Sequence, residues 1–334
     1  MTRRAHPELA APDSDLEDAL RQGLDEVEAQ LEKAVVSPTP IVARAASHLI
    51  SAGGKRFRPM LVLLSGRFGD PADSRLSRSA VAVELTHLAT LYHDDVIDEA
   101  DHRRGIESVN HHWDNAVAVL AGDYLFARAS ELATELGTDV SRLLARTVAQ
   151  LCDGQIREVI AAGRLDQTVG DYMEVIRRKT AALIATSCRL GAMMSAADPE
   201  VADRLEAFGE ALGNAFQLSD DIMDVIASEE TLGKEPGVDL KEGVYTLPVL
   251  YALQGARGAD LRAVLEPGPP SGERLRAALE IVRDEGTLAR ARDAVTGEAA
   301  RAIQAAEGLP EGAPREALEH LATFLAARCG ADAP

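Results

Sequence analysis

Two acidic runs, Asp94-Asp95-Val96-Ile97-Asp98 and Asp220-Asp221-Ile222-Met223-Asp224, share the pattern D-D-x-x-D, and each closes a long apolar stretch. In a helix, residues four apart lie on one face, so Asp94 projects with Asp98 and Asp220 with Asp224. Packing such carboxylates into a core without counter-ions is very costly. Two such triads suggest carboxylates that face each other across divalent cations. Hard oxygen ligands select Mg²⁺ or Mn²⁺, and Mg²⁺ usually shares its shell with phosphates and water. The cations of the chain fit the same chemistry. Gly53-Gly54-Lys55-Arg56-Phe57-Arg58-Pro59 is a flexible turn followed by three cations, and Arg103-Arg104-Gly105 follows the first triad. Lys179-Thr180 and Gly233-Lys234 add more. Arginine offers a planar fork to phosphate and lysine a point charge. Any one of these groups alone is more often a solvated face. Together they alternate in sign, as a metal–diphosphate site must.

The elements that would position these residues are helices. Asp198 is a good N-cap and Pro199 suits the first helical position. From there Val201, Leu205, Phe208, Leu212, Phe216, Ser219 and Met223 recur at three- and four-residue steps, one buried stripe leading into the second triad. Residues 78 to 98 read as a second helix, apolar on nearly all sides and so central. Asp13-Ser14-Asp15 offers a cap before Leu16. Breaks fall at Pro38-Thr39-Pro40, Gly53-Gly54, Gly69-Asp70-Pro71, Gly137, Ala162-Gly163, 233–243 and 267–272. No convincing period-2 run appears. The expectation is an all-α bundle forming a single domain over residues 16–330, behind a mobile N-terminal segment, residues 1–15.

Composition agrees. At 334 residues and 46% hydrophobic, the chain has enough apolar side chains for a sizeable core, and scarce aromatics (4%) favour helix over sheet. A net charge of −19 argues against nucleic acid or an anionic membrane surface as partner. Cys152, Cys188 and Cys329 have neither C-x-x-C spacing nor a neighbouring His pair, so reduced cytoplasmic thiols are expected. No stretch approaches the length of a membrane span or a signal peptide's apolar region. Several polar residues stay open between structural and substrate roles: His87, Tyr92 and His93 around the first triad, Gln155 and Glu158, and Gln217 before the second triad.

The chain closely resembles the trans-type (head-to-tail) polyprenyl diphosphate synthases. The matching segments are GGKRFRP at 53–59, HLATLYHDDVIDEADHRRG at 87–105, GDYLFARA at 122–129 and GQIRE at 154–158. KT at 179–180, FQLSDDIMD at 216–224, LGKEPGVDL at 232–240 and EGVYTLP at 242–248 complete the set. The resemblance implies an isoprenoid-synthase-like helical bundle with a central active-site cavity, a homodimer, and condensation of isopentenyl diphosphate with an allylic diphosphate. It implies Mg²⁺, three ions in the family and Mn²⁺ as a substitute, on Asp94, Asp98 and Asp220, with Asp95, Asp221 and Asp224 in or near the shell. Arg103, Lys179 and Lys234 would hold the allylic diphosphate, and Lys55, Arg58, His87 and Arg104 isopentenyl diphosphate. Thr180 and Gln217 would sit by the forming cation, and Phe216 against the isopentenyl group. The departing diphosphate would take the proton lost. Two departures stand out. Val244 replaces a Lys common in relatives two residues before Thr246, and Arg328-Cys329-Gly330 lacks the strongly basic tail of some relatives.

Product length is expected to be read along the first triad's helix, where each turn rises about 5.4 Å. Thr90, Ala89 and Thr86 lie four, five and eight residues before Asp94, with Val83 and Ala82 deeper. Short-chain relatives carry a bulky floor at the first two positions; this chain carries none. A long-chain, membrane-soluble product of seven to ten isoprene units is expected, with geranylgeranyl or geranylfarnesyl diphosphate as the alternative. Three rival readings come from other classes. A non-catalytic partner subunit typically loses acidic motifs, a terpene cyclase has no need of GGKRFRP, and a purely structural bundle would ignore Mg²⁺ and bisphosphonate.

Overall fold

A computed structural model describes residues 13–226 and 236–330. Lys234 and residues 1–12 lie outside the described residues. The chain forms two compact units. The first takes residues 13–148, 183–206 and 308–317; the second takes 149–182, 207–226, 236–307 and 318–330. Among the described residues, no helix is long and apolar enough to cross a membrane.

The first unit contains α1 (Ser14–Ala34), α2 (Pro40–Ser51), α3 (Phe57–Ser65), α4 (Arg75–Ile97), α5 (Val109–His112) and α6 (Asn115–Leu136). It also holds the start of α7 (Thr138–Ala161), most of α9 (Ala182–Met194) and the start of α10 (Pro199–Ile226). Asp13 caps α1 as expected, its carboxylate accepting from the backbone N–H of Asp15 at 2.8 Å. Leu16, Leu20, Val27 and Leu31 make its buried stripe. α4 is buried along nearly its whole length and packs most extensively on α6, then on α3 and α1. Leu85 and Leu88 are fully buried, each contributing roughly 1.5–3 kcal/mol. Two hydroxyls on α4 are satisfied within the helix: Ser79 Oγ donates to Leu76 O and Thr86 Oγ1 to Ala82 O. Gly191 lets α9 approach α3, for a Cβ there would stand 2.2 Å from Val62 O.

The second unit holds the rest of α7 and α10, α8 (Val169–Ile176), a π turn (Arg177–Ala181), α11 (Val238–Glu242), α12 (Leu247–Gln254), α13 (Gly258–Leu265), α14 (Gly272–Val282), α15 (Glu285–Glu307) and the rest of α16 (Ala313–Arg328). A capping box starts α8: Thr168 Oγ1 accepts from Asp171 N, and Asp171 Oδ2 from Thr168 N. α12 packs on α15 and α13. The C-terminal end of α10 is met by Arg283, whose Nε donates to Val225 O at 2.7 Å.

Two details differ from the sequence expectation. The break at 233–243 contains the short helix α11, bounded by Gly237 (φ 79°) and Gly243 (φ 83°) in the left-handed region. A small antiparallel hairpin, β1 (His102–Arg103) with β2 (Ile106–Glu107), follows the first triad. Its two-residue turn is Arg104-Gly105, both at positive φ (54° and 79°), as a type I′ turn requires.

Candidate active site

In the first unit, α4 ends inside the acidic run. Asp98 is its C-cap, with its N–H donating to Asp94 O at 2.8 Å. Asp94 is half-buried and Asp98 exposed, while Asp95 is fully buried. The hairpin directs Arg103 back to Asp95. Arg103 Nε and Nη2 stand 2.7 and 2.6 Å from Asp95 Oδ1. Asp95 Oδ2 is buried with no hydrogen-bond partner. Burial raises the Asp95 carboxyl above its ordinary range, against the pull of Arg103.

Beside this lies an arginine-rich cluster. Arg104 donates to Leu49 O at 3.1 Å and to Gly53 O, and stands 3.7 Å from Glu84. A Cβ on Gly54 would lie 2.9 Å from the Arg104 guanidinium carbon, so glycine makes the room. Arg58 Nη1 lies 3.2 Å from His87 Nε2. Burial holds Arg58 down to about 10, still charged at neutral pH, with Glu84 opposing and Arg104 assisting. His87 is held well below its ordinary value by burial and by Arg58, Arg104, Arg56 and Arg103. It is therefore a neutral ring that accepts from Arg58 at Nε2 and carries its proton on Nδ1. Lys55 is exposed.

Arg56, the third cation of the Gly53–Pro59 run, has a different task. It is buried, forks onto Glu28 at 2.8 and 3.0 Å, and reaches Glu84 at 2.9 Å. Burial would lower this guanidinium, but the two carboxylates outweigh burial and leave it raised. Glu28 and Glu84 were missed by sequence reasoning. Glu84 had a legible signal: a charge inside an apolar run must find a partner. Tyr92 and His93 resolve toward structure. Tyr92 OH donates to Ala45 O at 2.7 Å, and His93 Nε2 lies 3.2 Å from Val119 O. Of the candidate product-length residues, Thr86 and Ala89 are buried and Thr90 half-buried. Thr86 and Thr90 turn their hydroxyls onto their own helix, to Ala82 O and His87 O, leaving methyl groups as their free surface.

In the second unit, α10 carries Phe216, Gln217, Asp220, Asp221 and Asp224. A hydrogen-bonded chain orders them. Thr180 Oγ1 donates to Gln217 Oε1 at 2.8 Å, and Gln217 Nε2 donates to Asp221 Oδ1 at 2.9 Å. Tyr172 OH donates to Asp221 Oδ2. Asp221 is buried, and its carboxyl is pushed well above the ordinary range by burial, then by Asp239, Asp224 and Glu158. Asp224 Oδ2 accepts from Asp239 N at 3.3 Å. Asp220 is more accessible and pairs with Arg328 at 2.6 Å. The π turn presents Lys179 and Thr180; such turns recur at functional sites. Lys179 pairs with Glu158. Gly154 permits the close approach, since a Cβ there would meet Lys179 N at 2.7 Å. Gln155 Oε1 is buried without a partner. Tyr172 was not singled out from the sequence, and Arg328 was noted only in a C-terminal stretch short of cations, because their partners lie far away along the chain.

The residues present suit divalent cations shared with diphosphate. All the acidic donors are hard oxygens, and Asp95 Oδ2 is a buried acceptor with nothing to accept. Among the described residues, no three His, Cys, Asp or Glu side chains form a protein-only cage. Ions here would complete their shells with phosphate and water, the usual habit of Mg²⁺.

Residues 39–282 match the family model described as polyprenyl synthetase. The chain is 42% identical over 315 residues to nonaprenyl diphosphate synthase of Mycobacterium tuberculosis, covering 93% of this chain and 94% of that one. Its fold is similar to the crystal structure of a decaprenyl diphosphate synthase from Rhodobacter capsulatus, with TM-score 0.88, 36% identity, and coverage of 94% and 98%. It is also similar to geranylgeranyl pyrophosphate synthase from Corynebacterium glutamicum, complexed with calcium and isoprenyl diphosphate: TM-score 0.85, 43% identity, coverage 95% and 98%.

Proposed function

The chain belongs to the polyprenyl synthetase family and is a prenyltransferase, and we propose that it condenses isopentenyl diphosphate with an allylic diphosphate, head to tail and in the E configuration, to a long-chain polyprenyl diphosphate. In this reading residues 16–330 make a single polyprenyl synthase domain. Asp94, Asp98 and Asp220 hold Mg²⁺ directly, and Asp95, Asp221 and Asp224 brace that shell. Bound Mg²⁺ neutralises the charge that gathers on the leaving diphosphate. Arg103, Lys179 and, outside the described residues, Lys234 grip the allylic diphosphate. Lys55, Arg58, Arg104 and the neutral His87, donating from Nδ1, grip isopentenyl diphosphate. The allylic C–O bond breaks and diphosphate leaves with the electron pair. The isopentenyl double bond then attacks the allylic carbon, and a proton is lost to diphosphate. Thr180 and Gln217 line the forming cation, Phe216 packs against the isopentenyl group, and apolar walls keep water from the cation.

The observation that carries the long-chain reading is the small, methyl-presenting series Thr90, Ala89 and Thr86, two of them fully buried. Ala89→Phe is expected to shorten the product by one or more isoprene units, read by mass spectrometry; an unchanged product would place the floor elsewhere. The 43% identity to a geranylgeranyl pyrophosphate synthase favours geranylgeranyl or geranylfarnesyl diphosphate as the second reading. Exposed apolar side chains support a homodimer: Val119 and Leu120 on α6, and Ile156, Val159 and Ile160 on α7. A cytoplasmic setting, without nucleic-acid partners, accords with the acidic charge and unpaired thiols.

A further inference from the structure

We propose that Arg328 is a positioning residue of the second acidic run: its guanidinium holds Asp220 in the substrate-free protein and gives way when Mg²⁺–diphosphate binds. The inference rests on the reading of Asp220 as a Mg²⁺ ligand. Arg328 ends α16, and its Nη1 stands 2.6 Å from Asp220 Oδ1. It is presented from an anchored helix end. Gly330, at φ 73°, turns the chain, and its N–H donates to Ala327 O at 3.1 Å. Cys329 is buried, and its carbonyl accepts from Arg292 Nε at 3.2 Å. Arg292 is braced in turn by Glu285 at 2.7 Å. Arg328 is thus fixed against a carboxylate of the acidic run.

Both partners are partly exposed, at 28% and 38%, so the pair adds little to folding stability. Its effect falls on occupancy. Mg²⁺ held by Asp220 would set a dication beside the guanidinium, and one of them would have to move. The pair raises the Mg²⁺ the second run needs, because the ion must displace the guanidinium before Asp220 is free to hold it.

The test is a thermal-shift titration of the purified full chain with Mg²⁺ at fixed inorganic diphosphate. Arg328→Gln is expected to reach its half-maximal shift at on the order of two- to fivefold less Mg²⁺ than the parent, the range a partly exposed ion pair carries. Its melting temperature without Mg²⁺ should be close to the parent's. Arg328→Lys keeps the charge and should keep the parent midpoint. Arg301→Gln removes a cation of the same unit that pairs with Glu298 instead, and should leave the midpoint in place. An unchanged or raised midpoint in Arg328→Gln overturns the proposal, and so does an equal shift in Arg301→Gln or Arg328→Lys. If the parent itself shows no Mg²⁺–diphosphate shift, the assignment of Asp220 fails first and takes the proposal with it.

Discussion

The middle aspartates of the two acidic runs occupy the same place in one pattern and are handled by opposite electrostatics. Asp95 is buried against a full counter-charge, the Arg103 guanidinium, within a cluster of four arginines. Asp221 is equally buried but meets two neutral donors, Gln217 and Tyr172, and acidic neighbours. The first run therefore sits in a cationic setting suited to gathering diphosphate. The second gathers acidic neighbours around a middle aspartate that has no counter-charge of its own, and its cation, Arg328, sits on the outer Asp220 instead. Identical D-D-x-x-D spelling does not give identical chemistry; the residues brought in from elsewhere decide it.

The largest expected effect comes from the outer aspartates, where the runs should agree. Asp94→Ala and Asp220→Ala should each lower kcat by on the order of 10²–10³, the usual loss when charge stabilisation is removed from a transition state. A tolerated change at either position would show that only one run carries the metals. Next come the middle aspartates, where the runs should differ. In chelator-treated protein at neutral pH, Asp95→Asn strands Arg103 and should cost about 1–3 kcal/mol, below the full cost of breaking a buried pair because Arg103 is partly exposed. Asp221→Asn keeps Gln217 on its amide oxygen, its NH2 donates to a Tyr172 hydroxyl turned to accept, and it sheds repulsion, so it should lie within about 1 kcal/mol of the parent, on either side. Urea unfolding separates the two; equal losses would erase the contrast.

Tyr172→Phe should cost roughly 0.5–1.5 kcal/mol, one hydrogen bond's worth. Its activity loss should exceed its stability loss if Tyr172 orients Asp221 for metal. His87 supplies the smallest effect, one of pH. Its folded pKa lies well below 6.5, so folding requires the neutral ring while the unfolded chain takes up a proton. Stability from this site is complete above about pH 6.5 and is lost as pH falls below it. His87→Gln should flatten that acid limb in a series of melting curves between pH 5 and 8.

The helices and the acidic runs were legible in the sequence because their signals are local. The Asp198-Pro199 start and the three-four apolar stripe lead directly to α10, and the apolar run from residue 78 coincides with α4. What escaped depends on distant partners or on backbone conformation. The hairpin is two short strands whose signal is only the Arg104-Gly105 turn, too brief for periodicity. Arg56 read like another phosphate ligand until Glu28 and Glu84 closed around it. Tyr172 and Arg328 lie 49 and 108 residues from the aspartates they touch, beyond any helical repeat. Lys234, prominent in the sequence, lies outside the described residues.

The most direct test of a long-chain prenyltransferase built on both acidic runs is a sized product assay. Purified protein, Mg²⁺ and isopentenyl diphosphate would be combined with dimethylallyl, geranyl or farnesyl diphosphate in turn, and the products weighed by mass spectrometry. A ladder ending at seven or more isoprene units is the predicted result. No condensation with any starter, in folded protein, would contradict it.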